Sequence, residues 1–226
     1  MDFTGGKTFG FGLLYQSRIF RVSSDFVCPF CYIGKRHLEA AIKDRTDVEI
    51  EFHSYELDPT APEKVDGKME VYFAEHKGMS VEQAHSMIQQ VTQMANNVDL
   101  AYNYDAIQHG NTLKPHRLFQ FAKEQGKGNE FMELAKKAYF IEGKWLNDDD
   151  FLVHLATSVG LEENRVRDIL TSEAYLDAVR LDQAQAAEIG IQGVPFFVID
   201  GQYGLSGAQP IEIFEQVLAD IDAKKI

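Results

Sequence analysis

Hydrophobic and polar positions follow three regimes along this chain. Residues 18–24, RIFRVSS, are rich in aromatic and β-branched side chains and predict a strand. From Pro29 the period lengthens. Phe30, Ile33, Leu38, Ala41 and Ile42 recur on one helical face, while Lys35, Glu39 and Lys43 point away from it. In DVEIEFHSYELDP the apolar Val48, Ile50 and Phe52 alternate with Glu49, Glu51 and His53, as in a half-buried strand, and Pro59 ends it. Strand, helix and strand in this order predict a βαβ unit.

The far end of the chain repeats the logic in another order. GVPFFVIDGQYGLSG has a continuous apolar run from Val194 to Ile199, an Asp200-Gly201 hairpin turn and a return strand through Leu205. A helix follows, with Pro210 near its first turn and Ile211, Phe214, Val217, Leu218 and Ile221 on one face. Between the ends, β-branched runs are scarce and amphipathic stretches are broken at Gly78, Gly110, Gly126 and Gly160. The expected fold is α/β: a βαβ unit over residues 18–62, an all-helical insertion over 63–189, then ββα over 190–226. Residues 1–17 read as an N-terminal extension.

Composition narrows the function. In 226 residues, 22 Lys and Arg face 35 Asp and Glu, and the formal charge of −13 repels polyanions, so nucleic acid is not an expected partner. No apolar run approaches the roughly 20 residues that span a bilayer, so no membrane partner is expected. The first residues show no clear cleavable signal, the apolar run there being broken by Gly12. Two cysteines are too few for a secreted disulfide framework. The expected location is the cytoplasm.

Both cysteines stand in SSDFVCPFCYIGKR, at the junction between the first strand and the first helix. Proline is favoured at the first helical position, which makes Cys28 the residue that caps the helix. Its sulfur then meets the helix's free N–H groups, which favour thiolate over thiol. Cys31, about one turn on, comes within disulfide range. The expectation is therefore an exposed nucleophile of low pKa at Cys28 and a buried resolving thiol at Cys31. Zinc would need about four ligands. The chain has no second cysteine pair and no His-x3-5-His spacing, so no metal is expected. Two inert core cysteines are the plainer alternative, and their place behind a helix-opening proline speaks against it.

The stretches SDFVCPFCYIGKRHLE, FHSYELDP, NTLKPHRLFQFA, YFIEGKWLND and GIQGVPFFVIDGQYGLSGAQP together resemble the DsbA-type thiol oxidoreductases of the thioredoxin superfamily, and within them the FrnE-like dithiol-disulfide isomerases. The resemblance spans nearly all of the chain after residue 17. It implies a thioredoxin-like fold with a helical insertion and a redox-active disulfide that exchanges with thiol- or disulfide-containing proteins, or with small molecules such as glutathione, with no bound cofactor. It further implies a cis bond before Pro195, facing the cysteine pair, with Val194 offering its backbone to an extended substrate beside Pro29 and Phe30. Relatives often carry Trp where Phe30 stands and Ala where Pro115 stands. Glutathione-dependent transferases of the kappa class and 2-hydroxychromene-2-carboxylate isomerases share the layout but typically place Ser at position 28. A peptide-binding module without catalysis is the third reading.

Other candidates have ordinary explanations beside functional ones. Asp25, three residues before Cys28, suits proton transfer or turn capping. His116 and His53 suit either a cleft or a packed surface. Met69, Met79, Met87 and Met94 suit an adaptable groove or gap filling between helices.

Overall fold

The computed structural model describes residues 17–224. The expected extension at 1–17 lies outside them except for Ser17. The described chain is an α/β fold that opens with β1 (Arg18–Ser24), α1 (Pro29–Ala41) and β2 (Val48–Ser54). Seven consecutive helices follow: α2 (Met69–Lys77), α3 (Val81–Asn96), α4 (Leu113–Glu124), α5 (Gly128–Phe140), α6 (Asp149–Ser158), α7 (Glu163–Leu170) and α8 (Leu176–Glu188). The chain then returns through β3 (Phe196–Ile199) and β4 (Tyr203–Ser206) to α9 (Ile211–Ala223).

The four strands lie in the order β2-β1-β3-β4, with β1 parallel to β2 and antiparallel to β3. β1 is one of the two inner strands, and its apolar residues explain why. Phe20 stands opposite Ile50 and Ile199, Val22 stands opposite Phe52 and Phe197, and Phe20 and Val22 are both buried. At the far end of the sheet the buried Arg18 guanidinium bonds Asp200 at 3.0 Å and also Asp222, so β1, the hairpin turn and α9 share one ion-pair network. The hairpin turns at Asp200 and Gly201, both of positive φ, as the sequence pattern predicts.

Helices α4, α5 and α8 rest against β2, while α1 packs on α9 and α3. Two expectations for α1 fail, the first of them for this reason. Lys35, expected on the outer face, is buried and bonds Glu39 at 2.5 Å and Glu133 of α5 at 2.6 Å. Phe30, expected on the apolar face, is 38% exposed. An amphipathic pattern assumes one buried side, whereas α1 is covered on a second side by the helical segment.

Two irregular segments are laced together at Gly110. Val65 N–H donates to His109 C=O at 2.9 Å, and Asn111 N–H to Pro62 C=O at 2.8 Å. Asn147 Nδ2 donates across the same junction, to Glu63 C=O at 2.9 Å and Asn111 C=O at 2.7 Å. A Cβ on Gly110 would lie 2.1 Å from the Glu63 carbonyl oxygen, which only glycine permits. Gly110→Ala should therefore cost about 1–3 kcal/mol. Thermal unfolding would then shift down by about 2–4 °C per kcal/mol, and an unchanged melting temperature would show that the two segments separate without penalty.

Candidate active site

The site begins where β1 stops. Cys28 is the N-cap of α1, with extended backbone (φ −85, ψ 112), and Pro29 takes the first helical position as the sequence predicts. Cys31 N–H donates back to Cys28 C=O at 3.1 Å, closing the first turn and bringing the two side chains onto one side. Both cysteines are free thiols. Val194–Pro195 is a cis peptide bond, and the Cys28 thiol donates to the Val194 carbonyl at 3.4 Å. Gly34 allows that approach: a Cβ there would stand 3.3 Å from Pro195 Cγ and 3.2 Å from Phe197 Cζ. Thus Cys28, Val194 and Pro195, far apart in sequence, meet.

One face of this junction opens on a cavity of about 420 Å3. Cys28, Pro29, Phe30 and Val194 form one side of it, and Met69, Tyr72, Phe73, Met87, Ile88 and Val91 of α2 and α3 line another. Phe30 and Leu57, 38% and 47% exposed, stand at its edge. Cys28 reaches the cavity and Cys31 does not. Tyr102 hydroxyl fixes the turn by donating to Pro29 C=O at 2.8 Å. Of the four methionines considered, Met69 and Met87 line the cavity, while Met94 is exposed.

The electrostatics of the pair correct one expectation. Cys28 is only 2% exposed, not an open nucleophile, and burial together with hydrogen bonding to Cys31 pushes its thiol well up. Burial also acts against ionising Cys31, but there it is outweighed. The Cys28 thiol, the Lys136 ammonium and the Asp25 N–H all favour a Cys31 thiolate, and its pKa falls below the usual thiol range. The helix N-terminus does favour an anion near Cys28. The groups that favour an anion act one turn deeper, so Cys31 is the thiol that ionises more readily.

Asp25 is buried beneath the turn, where burial alone would raise its pKa. The hydrogen bond and charge of His116, the Leu57 N–H and the Lys136 charge hold it below the usual carboxylate range instead. The distances are 3.3 Å to His116 Nε2 and 2.8 Å from Leu57 N. His116 is a wholly buried core residue packed on Phe26, with ring centres 4.7 Å apart, and it does not line the cavity. His53 lies elsewhere, bonded to Asp182 at 2.9 Å. Sequence reasoning missed Lys136, Tyr102 and the aromatic wall of α2. For Lys136 a signal existed, because Met132, Lys136 and Phe140 fall four residues apart on the apolar stripe of α5. Among the described residues no group of three His, Cys, Asp or Glu side chains is placed to hold a metal ion, and no helix is long and apolar enough to cross a membrane.

A cysteine pair opening a helix beside a cis-proline, on a sheet of this order, defines a thioredoxin-type oxidoreductase domain. The chain belongs to the DsbA-like thioredoxin domain family, whose model matches residues 20–219. It is 31% identical over 207 residues to the Bacillus subtilis (strain 168) protein YwbO, described as uncharacterized, covering 91% of this chain and 98% of that one. A probable DsbA oxidoreductase from Streptomyces coelicolor, SCO1869, superimposes with a TM-score of 0.85 at 38% identity, over 90% of this chain and 89% of that one. A 2-hydroxychromene-2-carboxylate isomerase shares the fold with a TM-score of 0.69 at 14% identity, over 92% and 97% of the two chains.

The charge distribution sets the titration. In single-cysteine variants followed by thiolate absorbance, Cys28→Ser should leave a Cys31 thiol that ionises at lower pH than the Cys28 thiol left by Cys31→Ser. The reverse order would place the stabilising donors at Cys28.

Proposed function

We propose that this chain catalyses thiol:disulfide exchange through a mixed disulfide on Cys28, as a FrnE-like member of the family. The observation that carries the reading is the position of Cys28: it caps α1, reaches the cavity and stands 3.4 Å from the Val194 carbonyl. Access, not acidity, selects the nucleophile, because Cys31 has no route to a substrate in the cavity. A thiol that is hydrogen-bonded to a thiolate can hand over its proton as it attacks.

In the reducing direction Cys28 gives its proton to Cys31 and attacks a substrate disulfide, whose S–S bond breaks as one substrate sulfur leaves as a thiolate. Asp25, ionised at neutral pH and lining the same cavity, is the proposed acceptor of the Cys31 proton. Cys31 then attacks Cys28, the second substrate thiolate leaves, and the Cys28–Cys31 disulfide remains, two electrons having passed to the substrate. The oxidising direction runs the same bonds backwards. Val194 supplies backbone for an extended substrate beside Pro195, and Pro29 and Phe30 flank the attacked sulfur.

Substrates in this reading are thiol- or disulfide-containing proteins and small thiols such as glutathione, and the setting is the cytoplasm. Residues 18–62 and 190–226 supply the reacting groups, and 63–189 supply the far wall of the cavity. The isomerase with the same fold does not compete on fold grounds, since the fold is common to both. An ionisable cysteine pair favours redox exchange.

Mild oxidation should remove two hydrogens from the protein and leave no labelled thiol, as read by mass spectrometry. Cys31→Ser should accumulate mixed disulfides on Cys28, and Cys28→Ser should lower disulfide turnover at least a hundredfold, on the order of the contribution of a positioned catalytic group. Two free thiols that persist under oxidant would sink the reading. Turnover that survives Cys28→Ser would point to glutathione-dependent chemistry without the pair.

A further inference from the structure

Lys136 sits in the middle of α5 and is wholly buried. Its Nζ donates to the backbone carbonyl of Asp25 and stands 5.8 Å from the centre of the Phe26 ring. Among the described residues no carboxylate oxygen lies within 4.0 Å of it. The carboxylates nearby are committed elsewhere. Asp25 turns its oxygens to His116 and the Leu57 N–H, and Glu133 is held by Lys35, Arg36 and Tyr32. A buried ammonium left without a counter-charge carries a penalty of several kcal/mol. Phe26 and an amide carbonyl offset only part of that.

Burial opposes the charge on Lys136 and lowers its pKa from the ordinary lysine range; the two cysteines and Asp25 favour the charge, and Lys35, itself paired with Glu39 and Glu133, opposes it. The missing anion is supplied when one sulfur of the pair ionises. We propose that Lys136 is the counter-charge of the redox pair, a positioning residue on the helical segment that stabilises the reduced, singly ionised dithiol over the disulfide.

This inference rests on the oxidoreductase reading. Reduction of the disulfide adds two electrons and, while one sulfur stays ionised, one proton; the Cys28–Cys31 bond breaks, Cys28 takes the proton and Cys31 keeps the charge that Lys136 favours. Oxidation removes that charge, so the Lys136 ammonium is left uncompensated and loses its proton more readily. Lys136 therefore makes the pair more oxidising and lowers the pKa of the first thiol to ionise. The same coupling makes the reduced protein the more stable redox form.

The test compares the full chain with Lys136→Met, which removes both charge and donor, and Lys136→Gln, which keeps a donor toward Asp25 without the charge. Each protein is equilibrated with graded reduced and oxidised glutathione and read by thiol labelling. Thiolate absorbance against pH and the melting temperatures of both redox forms complete the set. Both variants should favour the disulfide by about tenfold or more, equivalent to roughly 30 mV. Their first thiol should ionise at higher pH, and the stability gap between reduced and oxidised forms should narrow. A residue that only packs would lower both redox forms alike. An unchanged glutathione equilibrium in Lys136→Gln overturns the proposal, and so does a wild-type protein whose reduced form is no more stable than its disulfide. A wild-type chain that forms no reversible disulfide removes the oxidoreductase reading as well, and that result is visible before any variant is made.

Discussion

A buried hydrogen bond from the Lys136 ammonium to the Asp25 carbonyl holds the turn that presents Cys28 from behind. That bond joins the end of β1 to the middle of α5, and the groups around it complete the tie. Asp25 reaches His116 on α4 and the Leu57 N–H after β2, while Phe26 packs on His116, Phe119 and Phe131. A polar turn in so apolar a place is tolerable only when its donors and acceptors are satisfied. The helical segment supplies much of what the turn needs. It is packed into the base of the site as well as against the outside of the sheet.

This arrangement separates two properties that a surface dithiol would combine. Ionisation is favoured at Cys31, where Cys28, Lys136 and the Asp25 N–H offset the cost of burial. Access is greatest at Cys28, which alone of the two reaches the cavity. In the proposed mechanism a proton transfer from Cys28 to Cys31 reconciles them. The cavity itself is a joint product: the thioredoxin part contributes the sulfur and the Val194 carbonyl, while α2 and α3 contribute an apolar and aromatic surface about the size of a small ligand.

Legibility in the sequence followed the range of the interaction. The two terminal units were readable because strand alternation, helical period, the Asp200-Gly201 turn and a proline at the first helical position are local effects. The resemblance carried what local rules do not, the cis bond at Pro195 and its place beside Cys28, which the structure has. Lys35 and Phe30 were placed on the wrong sides because a helical pattern says which residues are apolar and not how many neighbours a helix will have. Lys136 stood in plain view on an apolar stripe. Its spacing marks it as anomalous, but nothing local says that its partner lies 111 residues away on the β1–α1 turn.

By itself, then, the sequence determined the order of elements, the cap at Cys28, the spacing that lets two sulfurs meet, and a surface charge that turns away polyanions. Each rests on neighbours within about one helical turn or one hairpin, or on a simple sum over the chain. Tertiary structure alone decided which sulfur the surroundings favour as an anion, which one reaches the cavity, and what lines the space in front of it. Those outcomes depend on desolvation and on donors brought from β1, α5 and the Val194–Pro195 segment. The strength of a buried charge interaction is set by distance and surroundings in space, and separation along the chain carries no information about either.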